Sequence, residues 1–266
     1  MIEQDFFSID LLGISFGGIM AVSQVSLNVR AGSIYSIIGP NGAGKTTIFN
    51  CISGLYKPDS GKIYFHSEDI TGLKPHIIAK KGIARTFQNI ELFSRMTTME
   101  NLMLGRHIHM KTGIWSGSTY FRKRSRAARE EVENRRRVER VIDLLDLQSA
   151  RDKYVGSLPY GTQKVIELGR ALAMEPELLL LDEPSAGMNS EEKQDLIFWL
   201  KDIQDELGVT ILLIEHDMKL VMDISDRILV MNFGKPIAEG DPDKVVKHPE
   251  VLKAYLGEED ILERDA

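Results

Sequence analysis

The chain has 266 residues, 43% of them hydrophobic and 27% charged, with a formal net charge of −6. This is an ordinary globular composition, long enough to bury a substantial core as one large domain or two small ones. The acidic balance gives no global attraction to nucleic acid, and the lone cysteine, Cys51, excludes both a disulfide framework and a cysteine cluster for zinc.

The N-terminus, MIEQDFFSID, lacks the basic and apolar regions of a signal peptide. No apolar run approaches the roughly 20 residues needed to span a bilayer as a helix. A cytoplasmic protein, free to lie against a membrane, is expected. Residues 1 to 38 hold alternating apolar segments, ISFGGIMAVSQVSLNVRAG and SIYSII, that read as strands. SIYSII runs into GPNGAGKTT at residues 39–47, and KTTIFNCISGL follows with the helical spacing of Ile48, Ile52 and Leu55. Gly54 and KPDSG then mark a turn before the strand-like GKIYFHS.

Residues about 89 to 160 change in texture. Thr97 and Glu100 fit a capping box opening the helix TMENLMLGR. The charged segment RKRSRAAREEVENRRRVERVIDLLDL reads as a further helix, so a helical subdomain inserted in an α/β body is expected. From Glu177 the strand signals return in ELLLLDEP and VTILLIEHD, near-continuous apolar runs suited to parallel strands covered on both faces. EEKQDLIFWLKDIQDEL separates them as a helix, completing a βαβ pattern. DPDKVVKHPEVLKAYLGEED reads as short helices and an acidic tail.

Two motifs carry chemistry. Gly39, Gly44, Lys45 and Thr46 fit G-x-x-x-x-G-K-[ST], placed between a strand and a helix as that loop requires. Backbone N–H groups of Gly39, Pro40, Asn41, Gly42, Ala43, Gly44, Lys45, Thr46 and Thr47, proline excepted, would form a cradle at the positive end of the helix. Lys45 would reach the terminal phosphates of a nucleotide, and the Thr46 hydroxyl would ligate Mg²⁺. The alternative, a mere glycine turn, leaves the lysine and threonine unexplained. LLLLDEP, residues 178–184, puts Asp182 and Glu183 at the carboxyl edge of a sheet, where α/β proteins bind ligands. Asp182 suits an outer-shell hold on Mg²⁺, and Glu183 a water facing the γ-phosphate; without the glycine loop they would read as solvated acids.

With LPYGTQKVIELGRAL at residues 158–172, the chain resembles the nucleotide-binding subunits of ABC transporters along almost its whole length. The resemblance implies an α/β P-loop NTPase with a RecA-like parallel-sheet core, an N-terminal antiparallel β subdomain and an inserted helical subdomain. It implies one domain over residues 1–257, with 1–88 and 161–240 as the catalytic core and about 89–160 as the helical signature part; C-terminal helices and an acidic tail fill 241–266. Tyr160, Gly161, Thr162 and Gln163 match the signature loop. Gln88, in IARTFQNIELF, matches the glutamine loop that touches Mg²⁺ and couples to the membrane subunit; His216, in LLIEHDMKL, matches the switch histidine at the γ-phosphate. Phe16 matches the aromatic that stacks on adenine, and SAGMN at 185–189 the loop that communicates across a dimer. The implied catalytic set is Glu183, His216, Lys45 and Gln88; the implied metal set is Thr46, Gln88 and Asp182.

Two positions depart from the family pattern. Pro159 stands where signature loops commonly carry serine, so an active but slower ATPase is expected; Asn189 stands where aspartate is usual. Within the family, FGGIMAV, GIARTFQNIELF, MTTMENL, AGMN and IEHDMKLVMDISDRILVMNFGKPIAEG resemble the LivG-type ATPases of high-affinity branched-chain amino acid importers. Relatives of that group serve urea, amides or other amino acids, and this alternative stays open. The implied partners are a second ABC ATPase subunit, as heterodimer or homodimer, two transmembrane permease subunits and, indirectly, an extracytoplasmic solute-binding protein. The implied location is the cytoplasmic face of the inner membrane. A soluble ABC ATPase acting on nucleic acid would bring coiled-coil inserts or basic faces, and a P-loop kinase would lack the YGTQ helix. The stretch from Arg122 to Arg140 holds nine Lys or Arg against four Glu. It reads better as a solvated helix with i,i+4 pairs than as a lipid-facing patch.

Overall fold

The apolar alternation of FSIDLLGISF makes β1 (Phe7–Phe16), with Phe7, Ile9, Leu12 and Ile14 buried. Gly17 and Gly18, both at positive φ, close a two-residue turn into the antiparallel β2 (Ile19–Val29). The strand β3 (Ile34–Ile38) is buried along its whole length, and α1 (Lys45–Ile52) follows its glycine loop. β4 (Ser60–Phe65) and the short β5 (Glu68–Asp69) complete an antiparallel sheet in the order β2-β1-β4-β5. After α2 (Pro75–Lys80), β6 (Ile83–Arg85) joins a second sheet with β7 (Leu178–Asp182), β8 (Thr210–Ile214), β9 (Arg227–Asn232) and β10 (Lys235–Gly240). Its order is β10-β9-β3-β8-β7-β6, parallel throughout except for the hairpin of β9 and β10. This computed structural model describes residues 6–86, 90–110 and 126–254, with side chains from 128 onward in the last segment.

Both sheets are held by one core. Ile48, Phe49 and Ile52 of α1 share a buried cluster with Phe7, Leu12 and Val25 of the antiparallel sheet and Ile37, Leu180 and Leu212 of the parallel one. Cys51 lies in the same cluster, where burial pushes its thiol up to about 11, so it packs rather than reacts. The α/β class with a parallel core and an antiparallel β part is thus the architecture formed.

The described chain groups into two compact units: Met1–Arg85 with Glu177–Ser185 and Leu200–Ala266, and Thr86–Pro176 with Ala186–Trp199. In the second, α3 (Thr98–Gly105), α4 (Arg126–Leu144) and α5 (Tyr160–Leu172) bury Leu102, Val138, Ile142, Leu145, Leu168 and Leu172. A Cβ on Gly169 of α5 would lie 3.2 Å from Leu145 and 3.5 Å from Leu102, so α5 runs close against its helical neighbours. This packing groups residues 161–172 with the helical unit, whereas the sequence reading put them in the catalytic core. α6 (Ser190–Leu207) crosses the boundary between the units; α7 (Met218–Ile224) and α8 (Pro242–Val245) belong to the first unit. No helix among the described residues is long and apolar enough to cross a membrane.

The expected capping box is formed: Glu100 N–H donates to Thr97 Oγ1 at 3.2 Å and Thr97 N–H to Glu100 Oε2 at 2.8 Å. On α4, Arg137 pairs with Glu133 at 3.1 Å and Arg135 with Glu131 at 3.7 Å, both at i,i+4 spacing. Arg137 also reaches Glu175, and Arg151 reaches Glu139. These pairs fit the solvated-helix reading; residues 122–125 lie outside the described residues.

Asn101 explains why an asparagine sits inside MTTMENL. Fully buried, it accepts from Phe93 N–H at 2.9 Å and donates to the carbonyls of Phe93 at 3.1 Å and Thr97 at 3.0 Å. Its amide thus stands in for missing backbone partners of residues 93–97. Asn101→Ala should destabilise the protein by roughly 2–3 kcal/mol, because several buried polar groups lose their partners together. Urea unfolding of the two proteins checks this.

Candidate active site

The glycine loop is set by close backbone approaches. Gly39 has φ +146, and a Cβ there would lie 2.1 Å from the Met231 carbonyl; at Gly44, φ +97, it would lie 2.5 Å from the Ala21 carbonyl. Only glycine fits between these strands and the loop. The β9–β10 turn braces the loop from outside: Gly234 N–H donates to Ala43 O at 3.1 Å, and Ser23 N–H to Gly234 O at 2.8 Å. Lys45, at the first turn of α1, is buried and folds back, its Nζ 2.6 Å from Gly39 O and 3.0 Å from Pro40 O. Asn41, Gly42 and Thr46 are exposed, and Thr47 is half-buried. Phe16 ends β1 with 45% of its surface exposed, edge-on to Tyr56 with centroids 5.2 Å apart.

The acids stand at the ends of neighbouring strands. Asp182 closes β7 at 1% exposure. Its Oδ2 accepts from Arg85 Nη2 at 3.0 Å, while Oδ1 is buried without a hydrogen-bond partner. Burial pushes the Asp182 carboxyl up, opposed by Arg85 and more weakly by Lys45. Arg85 ends β6; its Nη1 donates to Asn50 Oδ1 at 2.7 Å and Ser53 Oγ at 2.9 Å, tying Asp182 to α1. Burial lowers the Arg85 guanidinium against the pull of Asp182, so the two charges are desolvated together.

Glu183 has φ +51, the left-handed region that a non-glycine residue rarely adopts. Its N–H donates to Ile214 O at 2.9 Å, and its Oε1 lies 2.9 Å from Nε2 of His216, just beyond β8. Between Ile214 and His216 stands Glu215, 2% exposed. Its Oε1 accepts from Ser185 N–H at 2.8 Å and its Oε2 from His216 N–H at 2.9 Å.

Phe16, residues 39–47, Asp182, Glu183 and His216 therefore belong to one compact unit. Tyr160, Gly161, Thr162 and Gln163 open α5 in the other. Pro159 takes the N-cap position and supplies no side-chain bond; Gln163 turns its amide back onto Leu158 O at 2.8 Å. Asn189 serves as N-cap of α6, its Oδ1 accepting from Glu191 N–H at 2.9 Å and Glu192 N–H at 3.0 Å. An amide oxygen caps as well as a carboxylate here. Gln88 lies outside the described residues. Arg85 and Glu215 were missed from the sequence. The signal for each was a charged residue at the carboxyl end of a short, largely apolar strand, in IAR and TILLIE.

A family model described as "ABC transporter" matches residues 22–186, and one described as "Branched-chain amino acid ATP-binding cassette transporter" matches residues 235–261. The high-affinity branched-chain amino acid transport ATP-binding protein BraF of Pseudomonas aeruginosa is 44% identical, over 93% of this chain and 96% of its own. LivG of Escherichia coli K12, which carries the same description, is 42% identical, over 96% of this chain and 99% of its own. Among solved structures, the ADP conformation of MJ1267, an ATP-binding cassette of an ABC transporter, superposes with a TM-score of 0.82 at 32% identity, covering 95% of this chain and 98% of that one. With likeness of this extent, and a family model spanning more than half of its residues, the chain belongs to the ABC transporter family and is one of its ATP-hydrolysing cassettes.

Proposed function

We propose that this cassette energises a membrane importer of leucine, isoleucine and valine, working beside a second ABC ATPase subunit, two permeases and an extracytoplasmic solute-binding protein at the inner face of the membrane. Full-length kinship to BraF and LivG supports the solute class. The observation that carries the enzymatic part is the 2.9 Å contact of Glu183 with His216, beside Asp182 and past the glycine loop.

Each residue has a role that its surroundings allow. Phe16 offers an exposed ring face for adenine. The loop of residues 39–47 presents its N–H groups and the start of α1 to the phosphates. Lys45 exchanges the carbonyls of Gly39 and Pro40 for phosphate oxygens. Glu183 takes the proton from the attacking water as the γ-phosphorus gains an oxygen and the bond to the bridging oxygen of ADP breaks. His216 orients that carboxylate and meets the γ-phosphate. The hard oxygens of Thr46 and the unpartnered Oδ1 of Asp182 fit Mg²⁺, with Gln88 as the third member of that set. Bound there, Mg²⁺ supplies charge neutralisation across the phosphates. Tyr160, Gly161, Thr162 and Gln163 of a partner subunit close over the same nucleotide, so ATP stabilises the closed pair by mass action and its cleavage lets the pair part.

Reconstitution with the second ATPase subunit, the two permeases and the binding protein in liposomes tests the assignment: ATP-dependent uptake of leucine is expected, and uptake of urea or an amide instead would replace the solute. Glu183→Gln should retain ATP binding and accumulate closed dimers while hydrolysis falls about a hundredfold, the usual scale for a lost general base; phosphate release and size-exclusion chromatography in MgATP report both. Arg85→Met should cost about 3 kcal/mol of stability, because the buried Asp182 carboxylate loses its counter-charge. Equilibrium unfolding in urea measures that loss.

A further inference from the structure

We infer that Glu215 is a positioning residue for hydrolysis, acting through Glu183 and His216; this rests on the roles proposed for those two side chains. Glu215 leaves the wholly buried β8 and is itself 2% exposed. A carboxylate in such a place must be fully hydrogen-bonded. It is held by backbone N–H groups, and its two oxygens divide the work. Oε1 takes Ser185 N–H at 2.8 Å, in the turn that carries Glu183. Oε2 takes His216 N–H at 2.9 Å and, more weakly, Asp217 N–H at 3.4 Å, in the turn that carries the histidine.

The geometry explains why such a clasp is needed. The parallel pairing of β7 and β8 runs out at Asp182 opposite Ile214, and the last backbone bond between the two strands is Glu183 N–H to Ile214 O. The reacting pair stands just beyond that point. Glu183 also sits at φ +51, and backbone strain of this kind persists only where the surroundings over-determine it. On the far side, Asp217 caps α7 by accepting from Lys219 N–H at 3.1 Å and Leu220 N–H at 3.2 Å. The histidine turn is therefore pinned to α7 on one side and to the Glu183 turn on the other. Glutamine has the size of glutamate but only one acceptor oxygen, so it can hold one turn and must present an NH₂ group to the other.

The test is a double-mutant cycle on the chain assembled with its partner ATPase and permease subunits in MgATP, using Glu215→Gln, His216→Ala and the pair. Glu215→Gln alone should lower kcat about tenfold, with KM for MgATP within about twofold, since misplacement of a reacting group by a fraction of an ångström acts on the chemical step. In the His216→Ala background the same substitution should change kcat by less than about twofold, because the contact between Glu183 and His216 that Glu215 aligns is then already gone. Equal losses in both backgrounds, an unchanged kcat, or a loss carried by KM would each overturn the inference. If His216→Ala alone leaves kcat intact, the role proposed for His216 fails, and the inference falls with it for a separately visible reason. Should Glu215→Gln not fold, Glu215→Asp keeps the charge on a stem one methylene too short to span both turns, and the same coupling is expected.

Discussion

The parallel pairing of β3, β8 and β7 is the constraint on which the site depends. Parallel strands share a direction, so their carboxyl ends must emerge along one edge. The residues of the candidate site emerge there: the glycine loop follows β3, Asp182 and Glu183 stand at the end of β7, and Glu215 and His216 follow β8. Because these strands are buried along their whole length, a register shift would draw the acidic residues at their ends into the core and push leucine or isoleucine out of it. The hydrophobic effect thus holds the acids, the histidine and the lysine in register, although none of them contributes to it.

Burial sets a second condition. Arg85 and Asp182 are taken out of water as a pair, and the pair is joined to α1 through Asn50 and Ser53. A buried ion pair is weak evidence for stability, but its geometry is stringent, since each charge needs all of its partners. The helix behind the phosphate loop, the strand before Gln88 and the acid at the end of β7 consequently share one network.

Much of this was legible in the sequence, for reasons that differ by element. SIYSII, ELLLLD and VTILLI read as strands because a strand covered on both faces leaves an unbroken apolar run. The capping box of Thr97 and Glu100 is a local device, complete within four residues. The glycine loop was readable because Gly39, Gly42 and Gly44 take positive φ, a local demand that shows in the spacing of the motif. Less legible were features that depend on distant partners. Whether α5 groups with the sheet or with α3 and α4 is decided by what Gly169 meets, which no local pattern records. Arg85 acts on a residue 97 positions away, and Glu215 on one 30 positions away. Asn189 looked like a departure, yet its place at the start of α6 needs an acceptor oxygen rather than a charge.

Lys45 resting on the carbonyls of Gly39 and Pro40 has a consequence for how a ligand arrives. The ammonium works as an internal strut, drawing two loop carbonyls toward one buried charge and so bracing the turn between them. On the role proposed above for Lys45, binding a phosphate would exchange one set of oxygen contacts for another around a single cation. A receptor organised in this way would spare its guest the entropy of ordering a loop.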